Sequence, residues 1–167
     1  MDEAKLHEFM GKLVTDMGGA AMIANVILGE ELGLYRAMAD GVPITPDELA
    51  AKTGCNARLI REWLSAQAAA GYVEPVEERF RLPPEQALAL AVEDSPVFVA
   101  GGAVVLAALF LDKDKLVTAM RSNGALAWGE HHPCMFGGTE RFFRPGYRAH
   151  LVSEWLPARD GVVPKLD

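Results

Sequence analysis

The hydrophobic and polar positions between residues 44 and 82 predict two short helices followed by a hairpin. Thr45-Pro46-Asp47-Glu48 has the sequence of a capping box, so a helix is predicted to begin at Pro46 and to end at Gly54. Asn56 is a candidate N-cap for a second helix over 57–70. The apolar stripe predicted for this second helix consists of Leu59, Ile60, Trp63, Leu64 and Ala68.

The residues after Gly71 predict two short strands, 72–74 and 79–82, around the turn Pro75-Val76-Glu77-Glu78. A helix, a tight turn, a second helix and a hairpin are typical of a winged helix-turn-helix. The sequence therefore predicts a mainly α-helical fold, in which a winged helix-turn-helix with a small two-stranded wing carries additional N- and C-terminal helices.

The N-terminal apolar pattern predicts an amphipathic helix over residues 2–17. Gly18-Gly19 is expected to interrupt it, before a more uniformly apolar helix over 20–28 and further helical turns up to residue 38. A helix that is apolar nearly all round needs burial on more than one side, either in a compact monomer or against a partner subunit. We expect the partner subunit, and hence a homodimer.

The pattern after the wing predicts further helices. The uncharged stretch 96–111 is shorter than the roughly 20 residues that span a bilayer, so we expect it at a subunit or domain interface and expect no membrane partner. Around it the pattern predicts a helix from Pro84 to about Asp94, an amphipathic helix over 112–120, an irregular segment over 125–138, a helix from Thr139 broken at Pro145-Gly146, and a last helix over 147–155.

This pattern divides the chain into three expected parts: helices and winged helix over 1–95, a helical extension for dimerisation and substrate cover over 96–157, and a linker over 158–167. The linker carries the apolar residues Val162, Val163 and Leu166, for which the sequence suggests no packing partner.

The composition of the chain limits its expected cellular location and the kinds of partner it is expected to bind. The chain has 167 residues, a formal net charge of −7 and two cysteines far apart, Cys55 and Cys134. Such cysteine use, with an N-terminus that lacks the pattern of a signal peptide, predicts a cytoplasmic protein. The negative charge disfavours polyanionic partners.

The helix-turn-helix raises the question of DNA. Between residues 57 and 81 four basic side chains are matched by four acidic ones, and the expected wing tip carries Glu77-Glu78. Nucleic acid is therefore not the expected partner. A DNA-binding regulator remains an alternative, with Arg58 and Arg61 as its contacts.

The segment 128–147 holds the remaining candidate chemistry. Glu130-His131-His132-Pro133-Cys134 groups metal-capable side chains, but the second cluster usual in zinc sites is missing, and Cys134 has no orienting partner in the pattern. We therefore expect neither metal nor catalytic residues. The aromatic and Met side chains here suit either the wall of a pocket for a small hydrophobic or aromatic substrate, or a second core. The candidate pocket residues are Trp128, His131, His132, Met135, Phe136, Phe142, Phe143 and Tyr147.

Paired glycines at 18–19, 101–102 and 137–138 do not follow a strand and lack the G-x-G-x-x-G spacing. No phosphate-binding loop and no cofactor-binding residue are predicted.

Several long blocks of the chain occur together in a known order: MDEAKLHEFMGKLV, ITPDELAAKTG, REWLSAQAAAGYVE, RLPPEQALAL followed by EDSP, and GTERFFRPGYRAHLVSEWLPARDGVVPKL. Over nearly its whole length the chain resembles the N-terminal part of a bacterial, actinobacterial-type family of class I S-adenosylmethionine-dependent methyltransferases.

The resemblance implies that these residues serve dimerisation and help to cover the substrate. In that family a Rossmann-like catalytic domain follows, which would begin shortly after Asp167. S-adenosylmethionine is the cofactor expected for the full-length enzyme and none is expected in this chain, which by itself would be inert. The alternatives are a winged-helix regulator and a stand-alone small-molecule-binding protein.

Overall fold

A computed structural model describes residues 1–122, 124–162 and 165, and divides the chain into two compact units, Met1–Pro83 and Pro84–Asp167. The division falls at the Pro83-Pro84 pair, whereas the sequence placed a boundary after residue 95. The described residues confirm a mainly helical chain whose sheet is one two-stranded antiparallel hairpin.

Helix α1 (Glu3–Glu31) is continuous, so the interruption expected at Gly18-Gly19 is wrong. A glycine inside a helix costs about 1 kcal/mol relative to alanine, which lowers stability without ending the helix. Asp2 caps the N-terminus by accepting hydrogen bonds from the backbone N–H groups of Ala4 and Lys5. By length and composition α1 could cross a membrane, the one described helix of which this is true; 11% of its apolar window is buried.

The helix-turn-helix consists of α2 (Leu34–Ala37), α3 (Pro46–Thr53) and α4 (Ala57–Ala69). Its capping signals are confirmed. Thr45 and Glu48 form the reciprocal capping box of α3, and Gly54 follows that helix in the left-handed conformation, with a φ of 70°. Asn56 accepts from the backbone N–H groups of Arg58 and Leu59, the second and third residues of α4.

The wing pairs β1 (Glu74–Val76) with β2 (Arg79–Arg81). Pro75 and Val76 therefore lie in a strand, and the turn consists of Glu77 and Glu78 alone, which corrects the predicted limits. Proline is tolerated in β1 because β1 is an edge strand, where a missing N–H breaks no inner ladder.

The core of the first unit gathers on α2 and α4. Trp63 donates from its indole N–H to the carbonyl of Asn25 at 2.9 Å, which fastens α4 to α1, and it meets Tyr35 edge to face. The predicted stripe of α4 is partly wrong: Leu59 is 56% exposed, whereas Gln67 is fully buried and accepts a hydrogen bond from the Tyr35 hydroxyl at 2.9 Å. Gln67 is buried because its side of α4 faces the Tyr35 hydroxyl of α2.

The second unit contains four α-helices among its described residues: α5 (Pro84–Leu90), α6 (Ala100–Leu111), α7 (Lys113–Arg121) and α8 (Cys134–His150). A 3₁₀ turn over Trp128–Glu130 precedes α8, and a π-helical turn over Leu151–Trp155 follows it.

Three predicted boundaries in this unit are wrong. Helix α5 ends at Leu90, not near Asp94. Helix α6 begins at Ala100, not at Pro96, because Ser95 uses its hydroxyl to close a local turn with the N–H of Val97. Helix α8 begins within the segment expected to be irregular and continues through Pro145. The buried proline removes one helical hydrogen bond, and packing of its helix against α6 holds the continuous form.

Glycine pairs permit that packing. A Cβ on Gly101 would lie 2.7 Å from the backbone N of Phe142, and one on Gly138 would lie 3.0 Å from the backbone N of Val105. Helices α6 and α8 therefore approach backbone to backbone. Within the expected linker, Val163 and Leu166 lie outside the described residues.

Candidate functional site

The buried carboxylate of Asp112, at the junction of α6 and α7, organises the segment that leads into α8. Its side chain is fully buried. It accepts from the ring Nδ1 of His131 at 2.8 Å and from the backbone N–H of His132 at 2.9 Å, and it pairs with Lys115 at 3.4 Å. Since an ionised carboxylate only accepts, His131 carries a proton on Nδ1.

Burial acts to raise the pKa of Asp112, but the hydrogen bonds from His131, from the His132 backbone and from Lys115 outweigh it and hold the pKa below the ordinary value. The ionised form is therefore the stable one. Sequence reasoning missed this residue, because an Asp between two helical segments looks like an ordinary surface cap.

The metal-capable cluster has other structural roles. The imidazole Nδ1 of His132 lies 3.0 Å from the Cys134 thiol and accepts from the Cys134 backbone N–H. Lys115 donates to the carbonyl of Glu130 at 2.5 Å. Among the described residues no three His, Cys, Asp or Glu side chains converge as metal ligands would.

The eight candidate pocket residues form separate groups. Trp128 lies edge-on to both His131, at 5.8 Å between ring centres, and Phe136, at 5.3 Å. Met135 is buried. Phe142 lies against α6, where a Cβ on Gly102 would come within 2.9 Å of its ring, and it meets Phe143 edge to face.

Phe143 and Tyr147 line an open cavity of about 480 Å³ along α8, together with Thr139, Glu140 and Arg144. Arg144 donates to Glu140 at 2.6 Å, and this hydrogen bond holds the pKa of the Glu140 carboxyl below its usual range. The spacing of residues 139, 143 and 147 is that of one helical face. Sequence analysis did not predict that these three residues share a face, because the helix was expected to break at Pro145.

Aromatic stacking extends this surface beyond the predicted set. Trp155, on the π-helical turn, meets Tyr147 edge to face at 5.5 Å between ring centres. Trp128, Phe143 and Tyr147 are each more than half exposed. The arrangement offers an aromatic wall with a few charged groups, which can hold an apolar molecule by surface contact.

The surface formed by α4 and the wing, where a DNA-binding helix-turn-helix would contact DNA, is balanced in charge. Arg58 and Arg61 are exposed on α4, and Arg61 lines a cavity of about 480 Å³ that Asp47, Glu77 and Glu78 also line.

The two wing arginines are paired with carboxylates of this unit. Arg79 donates to Glu48 at 2.8 Å, and Arg81 pairs with Glu74. Carboxylates therefore surround most of the positive charge near the wing.

The helix-turn-helix region matches a known domain family. Residues 20–92 match the model of the Rv2258c-like winged HTH domain, and this segment is a winged helix-turn-helix domain. A comparison with curated protein sequences finds no match.

Solved structures share the fold over most of the chain. The structure described as PigF with SAH is 19% identical, with a TM-score of 0.69 over 90% of this chain and 48% of that one. CalO1, a methyltransferase in calicheamicin biosynthesis, in its SAH-bound form, is 24% identical, with a TM-score of 0.63 over 89% of this chain and 46% of that one.

An O-methyltransferase family protein from Burkholderia thailandensis is 16% identical, with a TM-score of 0.65 over 84% of this chain and 43% of that one. The chain thus spans about half the length of the methyltransferases whose fold it shares.

Proposed function

We propose that this chain is the assembly and substrate-covering part of a small-molecule S-adenosylmethionine-dependent methyltransferase, that it forms a homodimer and that it is inert by itself. One observation carries the proposal. The likeness to methyltransferase structures extends over 84–90% of this chain, well beyond the winged-helix segment, and over less than half of theirs.

The described residues do not fit the cofactor. S-adenosylmethionine in class I enzymes is held at the end of a parallel strand by a glycine-rich turn, whereas the sheet among the described residues is the antiparallel β1–β2 hairpin. Methyl transfer would therefore depend on residues outside those described.

Unpartnered apolar faces support a homodimer. Helix α1 exposes Phe9, Val14 and Met17, each by about 60%. Helix α6 exposes Leu109, Phe110 and Leu111, with Phe110 at 71%. Contiguous exposed apolar surface of this kind marks an association site.

The aromatic face of α8 supports the substrate-cover role. Phe143, Tyr147 and Trp155 are all exposed and line or flank the 480 Å³ cavity. We propose a small hydrophobic or aromatic substrate, since flat aromatic surfaces with few polar groups favour such ligands.

The charge distribution argues against DNA as the partner. Phosphate contacts require unpaired basic groups, and the wing of this domain has its arginines paired to Glu48 and Glu74. We expect no gel shift of duplex DNA at low salt. A shift that is lost on Arg61→Ala and falls steeply with salt would favour the regulator instead.

Two measurements on the purified chain test the proposal. Multi-angle light scattering should give twice the 18.0 kDa chain mass at micromolar concentration. Isothermal titration with S-adenosylmethionine should give no heat of binding. A monomer would contradict the assembly role, and stoichiometric micromolar binding of the cofactor would contradict the inert role.

The substrate-cover role needs the product that the native host makes. An antiserum raised against this chain should detect a protein of roughly twice its mass, since the chain spans 48% or less of the matched structures. In that protein, Tyr147→Ala together with Phe143→Ala should raise KM and leave cofactor affinity unchanged. An unchanged KM would contradict the substrate-cover role.

A further inference from the structure

A thiol and an imidazole that the proposed function does not use lie together at the start of α8. The Sγ atom of Cys134 is 3.0 Å from Nδ1 of His132. Cysteine reacts as the thiolate, so a base within hydrogen-bonding distance activates a thiol as a nucleophile. The sequence pattern showed no orienting partner for Cys134, whereas the fold places the His132 ring beside it.

The backbone sets the direction in which the proton can move. The N–H of Cys134 points at the same Nδ1 atom of His132, at 3.3 Å. A backbone N–H only donates, so this nitrogen is an acceptor and the ring proton of neutral His132 lies on Nε2. The thiol is therefore the donor in its contact with His132, and the imidazole can take up its proton.

The residue that carries the base is fixed by Asp112. This buried carboxylate accepts the backbone N–H of His132 with both oxygens, at 2.9 and 3.1 Å. It also accepts from the ring of His131, so two consecutive residues are held in place. A nucleophile, a base and a third group that positions the base together form the arrangement that activates nucleophilic side chains.

The beginning of α8 favours negative charge on the sulfur. Cys134 is the first residue of this 17-residue helix, and its N-cap residue is Pro133, whose ring offers no hydrogen-bond acceptor. The described residues of the first turn include no acidic side chain. The partial positive charge of the helix N-terminus is therefore not offset locally, and it stabilises a thiolate at Cys134.

Cys55 provides a comparison within the same chain. Both cysteines are free thiols, and both are partly buried. The Cys55 thiol donates to the carbonyl oxygen of Thr53 at 3.6 Å, and a carbonyl cannot take up its proton. The two thiols thus differ in whether a base accepts their hydrogen bond.

We propose that Cys134 is a modification site that exchanges with low-molecular-mass disulfides, with His132 as its base. Nδ1 of His132 takes the thiol proton, and the Cys134 thiolate attacks one sulfur of the disulfide, forming a new S–S bond while the old one breaks. The expelled thiolate takes the proton back from His132 and leaves as a thiol. Cys134 is oxidised to a mixed disulfide, and the expelled sulfur is reduced.

The pair suits this reaction because one proton serves both of its steps. The proton that His132 removes from Sγ is the one that the departing thiolate needs, so the exchange requires no further proton donor. The inference is independent of the homodimer and of methyl transfer, since it concerns side chains within the second unit.

Mixed-disulfide formation with bis(2-hydroxyethyl) disulfide, followed by intact-mass spectrometry at neutral pH, tests the proposal. The Cys55→Ser chain isolates Cys134, and the Cys134→Ser chain isolates Cys55. We expect Cys134 to react at least about tenfold faster in the folded chain, a modest part of the roughly 10²–10⁴-fold that a positioned base contributes. In concentrated urea the two rates should become equal.

His132→Ala in the Cys55→Ser chain removes the base and should abolish the advantage of Cys134. Free imidazole in the buffer should then restore part of the rate, which it would not do if His132 served only the structure. Loosening of the start of α8 would expose the thiol and speed its reaction, so a slower rate reports the base. His150→Ala is the matched control, since it removes an imidazole that contacts Glu154 at the other end of α8. It should leave the rate unchanged.

Three results would overturn the proposal: equal rates for Cys134 and Cys55 in the folded chain, a Cys134 rate that His132→Ala does not lower, and a lowered rate that imidazole does not restore. Light scattering and cofactor titration of the unmodified chain test the proposed function separately, so the failure of one proposal is distinguishable from the failure of the other.

Discussion

The helix-turn-helix and the α6–α8 pair both depend on close packing between helices, but they achieve it by different means. In the first region, α3 and α4 begin at side-chain caps: the capping box of Thr45 and Glu48 for α3, and Asn56 for α4. In the second, neither α6 nor α8 has a side-chain hydrogen bond at its N-cap. Their contact depends on Gly101 and Gly138, where no side chain separates the backbones.

The difference shows what local chemistry can specify. A cap fixes where a helix begins from residues within one turn, independently of the rest of the fold. A close helix–helix approach requires small residues on two elements that are distant in sequence. The second region is therefore expected to be the more sensitive to volume at its contact, and the first to the loss of hydrogen bonds.

The largest effect is expected from Gly101→Ala. The new Cβ would meet the backbone N of Phe142 at 2.7 Å and the carbonyl O of Gly138 at 2.9 Å. Because backbone atoms of a helix cannot move aside individually, overpacking should lower the free energy of unfolding by about 1–3 kcal/mol or more. Denaturant titration followed by circular dichroism measures this.

Gly137→Ala is the matched control, since it changes the neighbouring residue at a position with no atom within 4 Å. It should be neutral or should stabilise α8 by up to about 1 kcal/mol. Equal losses for the two variants would refute the proposed role of the backbone contact.

Tyr35→Phe should have the next largest effect. It removes the hydroxyl that donates to Gln67, whose side-chain Nε2 already lacks a partner in its buried position. Leaving the Gln67 oxygen unsatisfied as well should cost about 1–3 kcal/mol, measured by urea unfolding.

Adding Gln67→Met to Tyr35→Phe removes both polar groups and should restore most of that loss. The double-mutant cycle isolates the hydrogen bond from the packing of the ring. A double variant as unstable as the sum of the single ones would show that the bond contributes nothing specific.

A smaller effect is expected from Thr45→Ala, which removes one half of the α3 capping box. The loss should be about 1 kcal/mol. Ser65→Ala is the control, because its exposed hydroxyl donates only within α4, to the carbonyl of Arg61. Thermal melts should separate the two by several degrees, and indistinguishable melts would contradict the importance of the cap.

The smallest effect is expected in the acid range and concerns Asp112, whose hydrogen bonds lower its folded-state pKa. A group whose pKa is lower in the folded state stabilises the fold above its unfolded pKa, roughly 3.9 for Asp, and loses this contribution as the pH falls. Between about pH 5 and pH 3, wild type should therefore lose more stability than Asp112→Asn does.

Asp114→Asn is the control for this pH profile, since its side chain is 90% exposed beside Lys113. Its melting temperature should follow that of wild type at every pH. A parallel decline in wild type and Asp112→Asn would show that the carboxylate at the α6–α7 junction does not carry the acid sensitivity.

Sequence reasoning predicted the aromatic candidates of the site but not their arrangement. It gave Trp128, Phe143 and Tyr147 as pocket residues, and all three are exposed aromatic side chains. It missed Asp112, because burial of a carboxylate depends on partners about 20 residues later in the chain. It also predicted a break in α8 at Pro145. The hydrogen bond that a proline removes is a local feature, whereas the packing against α6 that offsets its loss is not.

By itself, the sequence determined the winged helix-turn-helix: its caps at Thr45 and Asn56, its left-handed glycine at Gly54 and its wing are properties of neighbouring residues. Only the tertiary structure decided that α1 is continuous through Gly18-Gly19, that Gln67 replaces Leu59 in the core, and that Gly101 and Gly138 serve helix packing. These features depend on contacts between residues far apart in the chain, whose energies a local pattern does not contain.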